Sequence, residues 1–313
     1  MTLRTTLRRL AAWLPALLSP LAPAACPPGA PPPSAAQLAA AERQDRGFLW
    51  AIDRDGRRSY LYGTLHVGRP EWMRSGPRVS AALSATDVLA LEIDPTDPGV
   101  QAELANGDGA PPLAVPAAMK SRLKRQVAAA CLPDAAFASM GPAMQAVMLG
   151  VLEARWAGLD PGYAQEQALA RRAREDGHEV VALESVALQK KVLVSDSPAE
   201  MLAMIDGLLA QLEGGSGRRQ ISRLARAWEH SDLATLEGYE RWCDCARTAD
   251  ERAALRSLND ERNPGLADGI EALHRDGKSV FAAVGALHMT GPQSLPRLLA
   301  ARGFRVERIA LQR

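Results

Sequence analysis

Compact apolar runs recur along this chain, and their lengths separate strands from helices. Runs at 48–52 and 59–62 flank Asp55-Gly56, a dipeptide suited to tight hairpin turns. They predict a β-hairpin and place the start of the folded region near Gly47. Further runs of strand length stand at 87–92, 179–184 and 278–284, with a closing run at 304–311. Helical spacing predicts helices over 79–85, over 165–176 with Gly177 as the stop, and over 295–301. From 113 to 260 the pattern is mostly helical, rich in Ala, Leu and Met among Arg, Gln and Glu, and broken at Pro133, Pro142, Pro161, Pro198 and Gly214-Gly215.

One arrangement of these elements occurs twice. Strand, Gly-x-Leu-His, short helix and strand follow one another at 60–92 and again at 279–311, which suggests an internal duplication. The expected fold is therefore α/β: a central mixed sheet built from two related strand-GxxH-helix-strand halves, with residues 113–260 inserted as a helical cap. The strand at 179–184 lies inside that insert and argues for one domain, 47–313, rather than two.

The residues ahead of this domain read as targeting and tether. Arg4, Arg8 and Arg9 precede an apolar stretch at 10–21 and then Ala22, Ala24 and Ala25, the pattern of a signal peptide over 1–25. That stretch of about twelve residues contains Pro15 and Pro20, whereas a bilayer span takes roughly 20 apolar residues. A periplasmic or secreted protein is expected, with lipid anchoring through Cys26 as an open alternative. Residues 26–46 carry five prolines and read as an extended linker. No later segment resembles a membrane span.

Charge and composition then narrow the partners. A formal charge of +1 gives no long-range field to gather nucleic acid, and aromatics at 4% are too few for a base- or sugar-stacking surface. After Cys26 come Cys131, Cys243 and Cys245, for which one bridge from Cys131 to the Cys243/Cys245 pair plus a spare thiol is expected.

The chemistry-bearing positions share a place in the pattern. Four strand-like runs end in residues that bind metals or move protons: His66, Glu92, Glu184 and His288. Loops at the carboxyl ends of parallel strands meet in one crevice, so the four are candidates for a common site. Gly63 and Gly285, three residues ahead of each His, are expected to let the backbone turn sharply. Imidazole and carboxylate together suit manganese, cobalt, zinc or another first-row divalent ion, and a metal-free acid/base site is the alternative. Arg262 and Asn263 offer a fixed charge and an amide donor, although Pro264 also permits a plain helix end. His178, His230 and His274 lie in polar stretches and are expected to be solvated. His178-Glu179 lacks the second His of a zinc helix, and there is no nucleophile elbow, phosphate loop or dinucleotide fingerprint.

Taken in order, Leu49-Trp50 with the hairpin, Gly63 to Gly68, Leu91-Glu92, Gly158 to Asp160 before a helix, Leu183-Glu184 with Gln189, Arg262-Asn263, and Val284 to Gly291 resemble the TraB/GumN family, related to the animal Tiki proteins. The resemblance implies that the paired Gly-x-x-His motifs fall on His66 and His288, the acidic positions on Glu92 and Glu184, and the Arg-Asn pair on Arg262 and Asn263. It also implies an erythromycin-esterase/ChaN-like fold and, for Tiki-like members, a manganese- or cobalt-supported protease acting on a peptide or protein substrate. Some relatives carry a membrane helix after the domain, and none is expected from this sequence. A non-catalytic protein binding haem or another small ligand, and an accessory factor for envelope polysaccharide, are the alternative readings.

Overall fold

The computed structural model describes residues 26–29, 34–41, 44–105, 113–137, 139–195 and 197–311, so the expected signal peptide lies outside the described residues. Its centre is a six-stranded sheet in the order β4-β3-β5-β2-β1-β6. The strands are β1 Phe48–Arg54, β2 Arg57–Thr64, β3 Val88–Leu91, β4 Glu179–Ala182, β5 Val280–Gly285 and β6 Arg305–Ile309. β1 pairs antiparallel with β2 and β6, while β2, β5, β3 and β4 run parallel to one another. The sheet is mixed, as the sequence implies.

The predicted hairpin forms where expected. Asp55 and Gly56 take φ of 52° and 74°, the left-handed pair that matches the twist of a two-residue hairpin. Strand burial follows position in the sheet. All of Val280–Val284 in central β5 and Val88–Leu91 in β3 are buried, so both faces are covered, and these strands read as unbroken apolar runs. Edge strand β4 is only partly covered, with Glu179 and Ala182 exposed.

Both halves of the proposed duplication appear as a strand, a short helix and a parallel strand. β2 leads through helix Pro77–Ser84 to β3, and β5 leads through helix Leu295–Ala301 to β6. Their strands interleave, because β5 lies between β2 and β3.

The 113–260 region divides between two cores. Helices Ala117–Ala129, Pro142–Leu152 and Pro198–Gly214 gather Leu123, Val127, Leu149, Ile205 and Leu209 into a small core of their own. Helix Gln165–Glu175, β4 and helix Ser216–Glu229 join the main core beneath the sheet, where Leu169 and Trp228 are buried. Ahead of the sheet, Ala35–Ala41 is a short helix within the segment expected to be extended. Asp45 is buried and accepts hydrogen bonds from the backbone of Arg78 and Val79, so tertiary contacts begin just before Gly47. Among the described residues no helix is long and apolar enough to cross a membrane.

The cysteines pair differently from the expectation. Cys26 bonds to Cys131, and Cys243 to Cys245, leaving no spare thiol among them. Spacing alone does not encode connectivity, and the partner of Cys131 proves to lie in the tether.

Candidate functional site

Parallel pairing brings the four strand-end residues to one end of the sheet. Thr64 at the end of β2 faces Gly285 of β5, Leu91 of β3 faces Ala283, and Leu91 also faces Ala182 of β4. His66, His288, Glu92 and Glu184 each follow within a few residues, on neighbouring strands. Beyond β3 and β4 the ladder continues: Leu183 donates to the Leu91 carbonyl and Glu184 to that of Glu92, at 2.7 and 2.9 Å. The two carboxylates therefore leave the sheet side by side.

The glycines of the repeated motif act through closeness, not through turning. Gly285 has φ −51° and ψ 137°, ordinary extended backbone. A side-chain carbon on Gly285 would meet Glu92 Oε1 at 3.2 Å, His288 Cδ2 at 3.5 Å and His66 Nε2 at 3.6 Å. Three candidate residues thus surround one point. Gly63 makes room in the same way for the backbone of Ala286, 3.2 Å from where its side chain would begin.

Both imidazoles are anchored at Nδ1. His66 Nδ1 stands 3.0 Å from Glu166 Oε1, which also accepts the Thr64 hydroxyl at 2.5 Å. His288 Nδ1 lies 2.6 Å from Asn263 Oδ1, and the Asn263 amide nitrogen donates to the Gln293 carbonyl at 2.8 Å. That second bond orients the amide, so His288 carries its proton on Nδ1 and keeps a lone pair on Nε2. Nε2 of His288 is 3.8 Å from Glu92 Oε1.

The two histidines nonetheless differ electrostatically. The His66 side chain is 65% exposed. The charge of Glu166, with that of Glu92, raises its pKa to about 9 against the opposing effect of desolvation. His288 is buried, and burial pushes its pKa down despite Glu92.

The carboxylates are held by one arginine. Arg262 sends Nε to Glu184 Oε1 at 2.9 Å, and its Nη2 contacts both Glu184 Oε2 and Glu92 Oε2. Gln189 bridges the same pair, donating to Glu92 at 3.3 Å and to Glu184 at 3.2 Å. The backbone N–H of Gly285 donates to Glu92 Oε1 at 2.7 Å. Burial opposes ionisation of Glu92, but His288, His66 and Arg262 outweigh it and draw the carboxyl down to about 2. Glu184 has both oxygens committed to Arg262, whereas Glu92 keeps Oε1 facing the Gly285 point.

A sequence profile of the TraB/PrgY/gumN family matches residues 48–308, from the first residue of β1 almost to the end of β6. The chain belongs to the TraB/PrgY/gumN family. No curated protein and no solved structure matches it. As a TraB/PrgY/gumN member it carries both Gly-x-Leu-His motifs on adjacent parallel strands, with Arg262 and Asn263 beside them. Pro264 opens helix Asn263–Arg275 instead of closing one, and this start fixes both side chains under the crevice.

Two features of this family member were not read from its sequence. Glu166, in the first turn of helix Gln165–Glu175, anchors His66, and its Oε2 atom is buried without a hydrogen-bond partner. An acidic residue in a first helical turn ordinarily reads as a favourable, solvent-facing charge, so nothing local marked it. His274, expected in solvent, is buried against Phe304 with neither ring nitrogen hydrogen-bonded. His178 is half-buried and His230 exposed.

Two imidazole Nε2 atoms and Glu92 Oε1 form a donor set chemically suited to a divalent cation. Two ligands at tetrahedral positions about 2.1 Å from a zinc-sized ion stand about 3.4 Å apart, close to the His288–Glu92 separation. Among the described residues no three such side chains are gathered tightly enough to grip an ion as they stand.

Proposed function

We propose that this chain is a metal-supported hydrolase, with peptide bonds as its substrate class, whose cation is held by His66, His288 and Glu92. The reading is carried by the anchoring of the two imidazoles. Each engages an acceptor through Nδ1, Glu166 at 3.0 Å and Asn263 at 2.6 Å, and leaves Nε2 for the shared crevice. Histidines that ligate metals commonly donate the other ring N–H to a carboxylate or carbonyl, which fixes the ring and makes it a better ligand. The bound ion would polarise a scissile carbonyl and lower the pKa of a water.

The remaining steps belong to the protein's own groups. Burial keeps His288 neutral, so its Nε2 lone pair is available. Glu92 stays ionised down to about pH 2 and offers Oε1. Arg262 and Gln189 hold Glu92 and Glu184 in place, and Glu184 serves to position Arg262. Arg262 also offsets part of the negative charge of the two carboxylates it holds. Export of the protein, expected from its first residues, fits a substrate outside the cytoplasm.

The test is hydrolysis of a peptide library by protein stripped with chelator and then given manganese, cobalt or zinc, with binding followed by calorimetry. His66→Ala and His288→Ala are expected to lose activity at least a hundredfold, and Glu92→Gln to lose metal binding as well. Glu184→Gln should retain binding but cost up to about 3 kcal/mol of stability, because it weakens a buried ion pair. Equal activity in wild type and His66→Ala, or no binding of any of the three ions, sinks the proposal. A Soret band on haem titration alongside absent metal binding would support the ligand-binding alternative.

A further inference from the structure

We propose that Cys243 and Cys245 form a thiol–disulfide exchange centre, separate from the histidine–glutamate cluster, that oxidises dithiols and is itself reduced. The two disulfides of this chain are of different kinds. One joins positions 105 residues apart and the other positions only two apart. The hold that a fold exerts on a disulfide grows with the length of chain the bond closes, so a bond between positions two apart gains far less from folding than one between positions 105 apart. Folding therefore locks Cys26–Cys131 strongly and Cys243–Cys245 hardly at all.

The surroundings suit a bond that opens without disturbing its neighbours. Cys243 and Cys245 lie in an irregular segment between helices Tyr239–Trp242 and Ala249–Leu258. Each shoulder is pinned independently of the sulfurs. Trp242 Nε1 donates to the Thr235 carbonyl at 2.8 Å, and its ring lies under the Arg223 guanidinium at 4.4 Å. On the other side Thr248 and Glu251 form a reciprocal cap, and Arg252 Nη1 donates to the carbonyls of Ala246 and Arg247, both at 3.0 Å. Asp244, between the cysteines, pairs with Arg247 and lies 3.9 Å from Arg219, so the one carboxylate beside the sulfurs is balanced by neighbouring guanidinium groups. That balance limits the repulsion Asp244 would exert on a neighbouring thiolate, the form in which a cysteine exchanges. The two sulfurs also differ in access, since Cys243 is buried and Cys245 only partly covered.

Access sets the order of the exchange. A thiolate of the incoming dithiol attacks Sγ of Cys245; the Cys243–Cys245 bond breaks, a mixed disulfide forms on Cys245, and Cys243 leaves as a thiolate that takes up a proton. The second thiol of the reductant, as thiolate, then attacks its own partner sulfur and frees Cys245 as a thiol. The dithiol thus loses two electrons and two protons and becomes a disulfide, while Cys243 and Cys245 gain both. A low-molecular-weight disulfide such as oxidised glutathione restores the bond by the reverse exchange.

The test uses the intact folded chain in dithiothreitol buffers of graded reduced-to-oxidised ratio, quenched with an alkylating reagent and read by peptide mass spectrometry. Cys243–Cys245 should be half reduced in a buffer at least tenfold less reducing than Cys26–Cys131 requires, with tryptophan fluorescence unchanged. In Cys243→Ser, oxidised glutathione should add to Cys245. Opening of both bonds together, opening of Cys243–Cys245 only in denaturant, or a Cys245 thiol in that variant that stays unmodified while the chain is folded, would each overturn the proposal. Should the variant fail to fold, the wild-type titration still decides.

Discussion

His66 and His288 occupy equivalent places in a repeated motif, yet their neighbours give them opposite acid–base character. A cation can bind only an unprotonated Nε2, and Glu166 holds the His66 imidazolium to about pH 9 in the metal-free protein. Metal uptake at pH 7.5 should therefore release about one proton, and apparent affinity should rise as pH climbs towards 9. Glu166→Gln removes the charge that raises this pKa, so the variant should release distinctly fewer protons. Calorimetry in buffers of different ionisation enthalpy measures the difference, and equal release from both proteins would contradict it. The same shift bears on folding: the folded value lies above the ordinary 6.5, so the charged pair supports the fold below about pH 6.5 and that support fades as pH rises through about 9. At this scale the sequence disclosed residue types at strand ends, and His66, Glu92, Glu184 and His288 do meet. It did not disclose Glu166, whose partner Thr64 is 102 positions away, nor that Glu184 spends both oxygens on Arg262.

Elements were legible where local chemistry punctuates them. Asp55-Gly56 fixes the hairpin and Gly177 stops helix Gln165–Glu175, because few residues accept the left-handed backbone that each site requires. Helix Asn263–Arg275 was harder, since its polar surface hides one buried face. His274 sits on that face, 5.0 Å from the Phe304 ring, with Asp55 Oδ2 3.8 Å from Nε2 as its nearest charge partner. Burial, then Arg54 and Arg57, pushes its pKa below the ordinary value, so the folded chain keeps the ring neutral. Unfolded chains take up that proton below about pH 6.5, so stability should be level above that pH and fall as the solution is acidified towards the folded pKa. His274→Leu should flatten this acid slope and, at pH 8, leave stability unchanged or raise it by about 1 kcal/mol, because two unpaired buried nitrogens disappear. Urea unfolding of both proteins between pH 4.5 and 8 checks it. A loss above about 2 kcal/mol at pH 8 would mean that the ring nitrogens are satisfied by water.

On the scale of the whole molecule, the α/β class and the mixed sheet follow from the hydrophobic pattern, but the strand order does not. Pairing partners are chosen by contacts between distant segments, and nothing near β5 announces that it will enter between β2 and β3. The disulfide pairing was hidden for the same reason. This interleaving has a consequence in time. β2 and β3 leave the ribosome early and in succession, yet the strand that must separate them is made nearly two hundred residues later, at Val280–Gly285. A nascent chain lacking β5 has neither His288 nor the Gly285 backbone that steadies Glu92, and its central sheet is split by an empty slot. A chain ending at Gly277 should accordingly show no cooperative thermal transition, whereas removal of only 310–313, beyond β6, should be tolerated; a cooperative melt from the shorter chain would contradict this. Whatever chemistry the crevice performs is thus withheld until residues 280–288 have been made, and every segment before them is sheltered from it during synthesis.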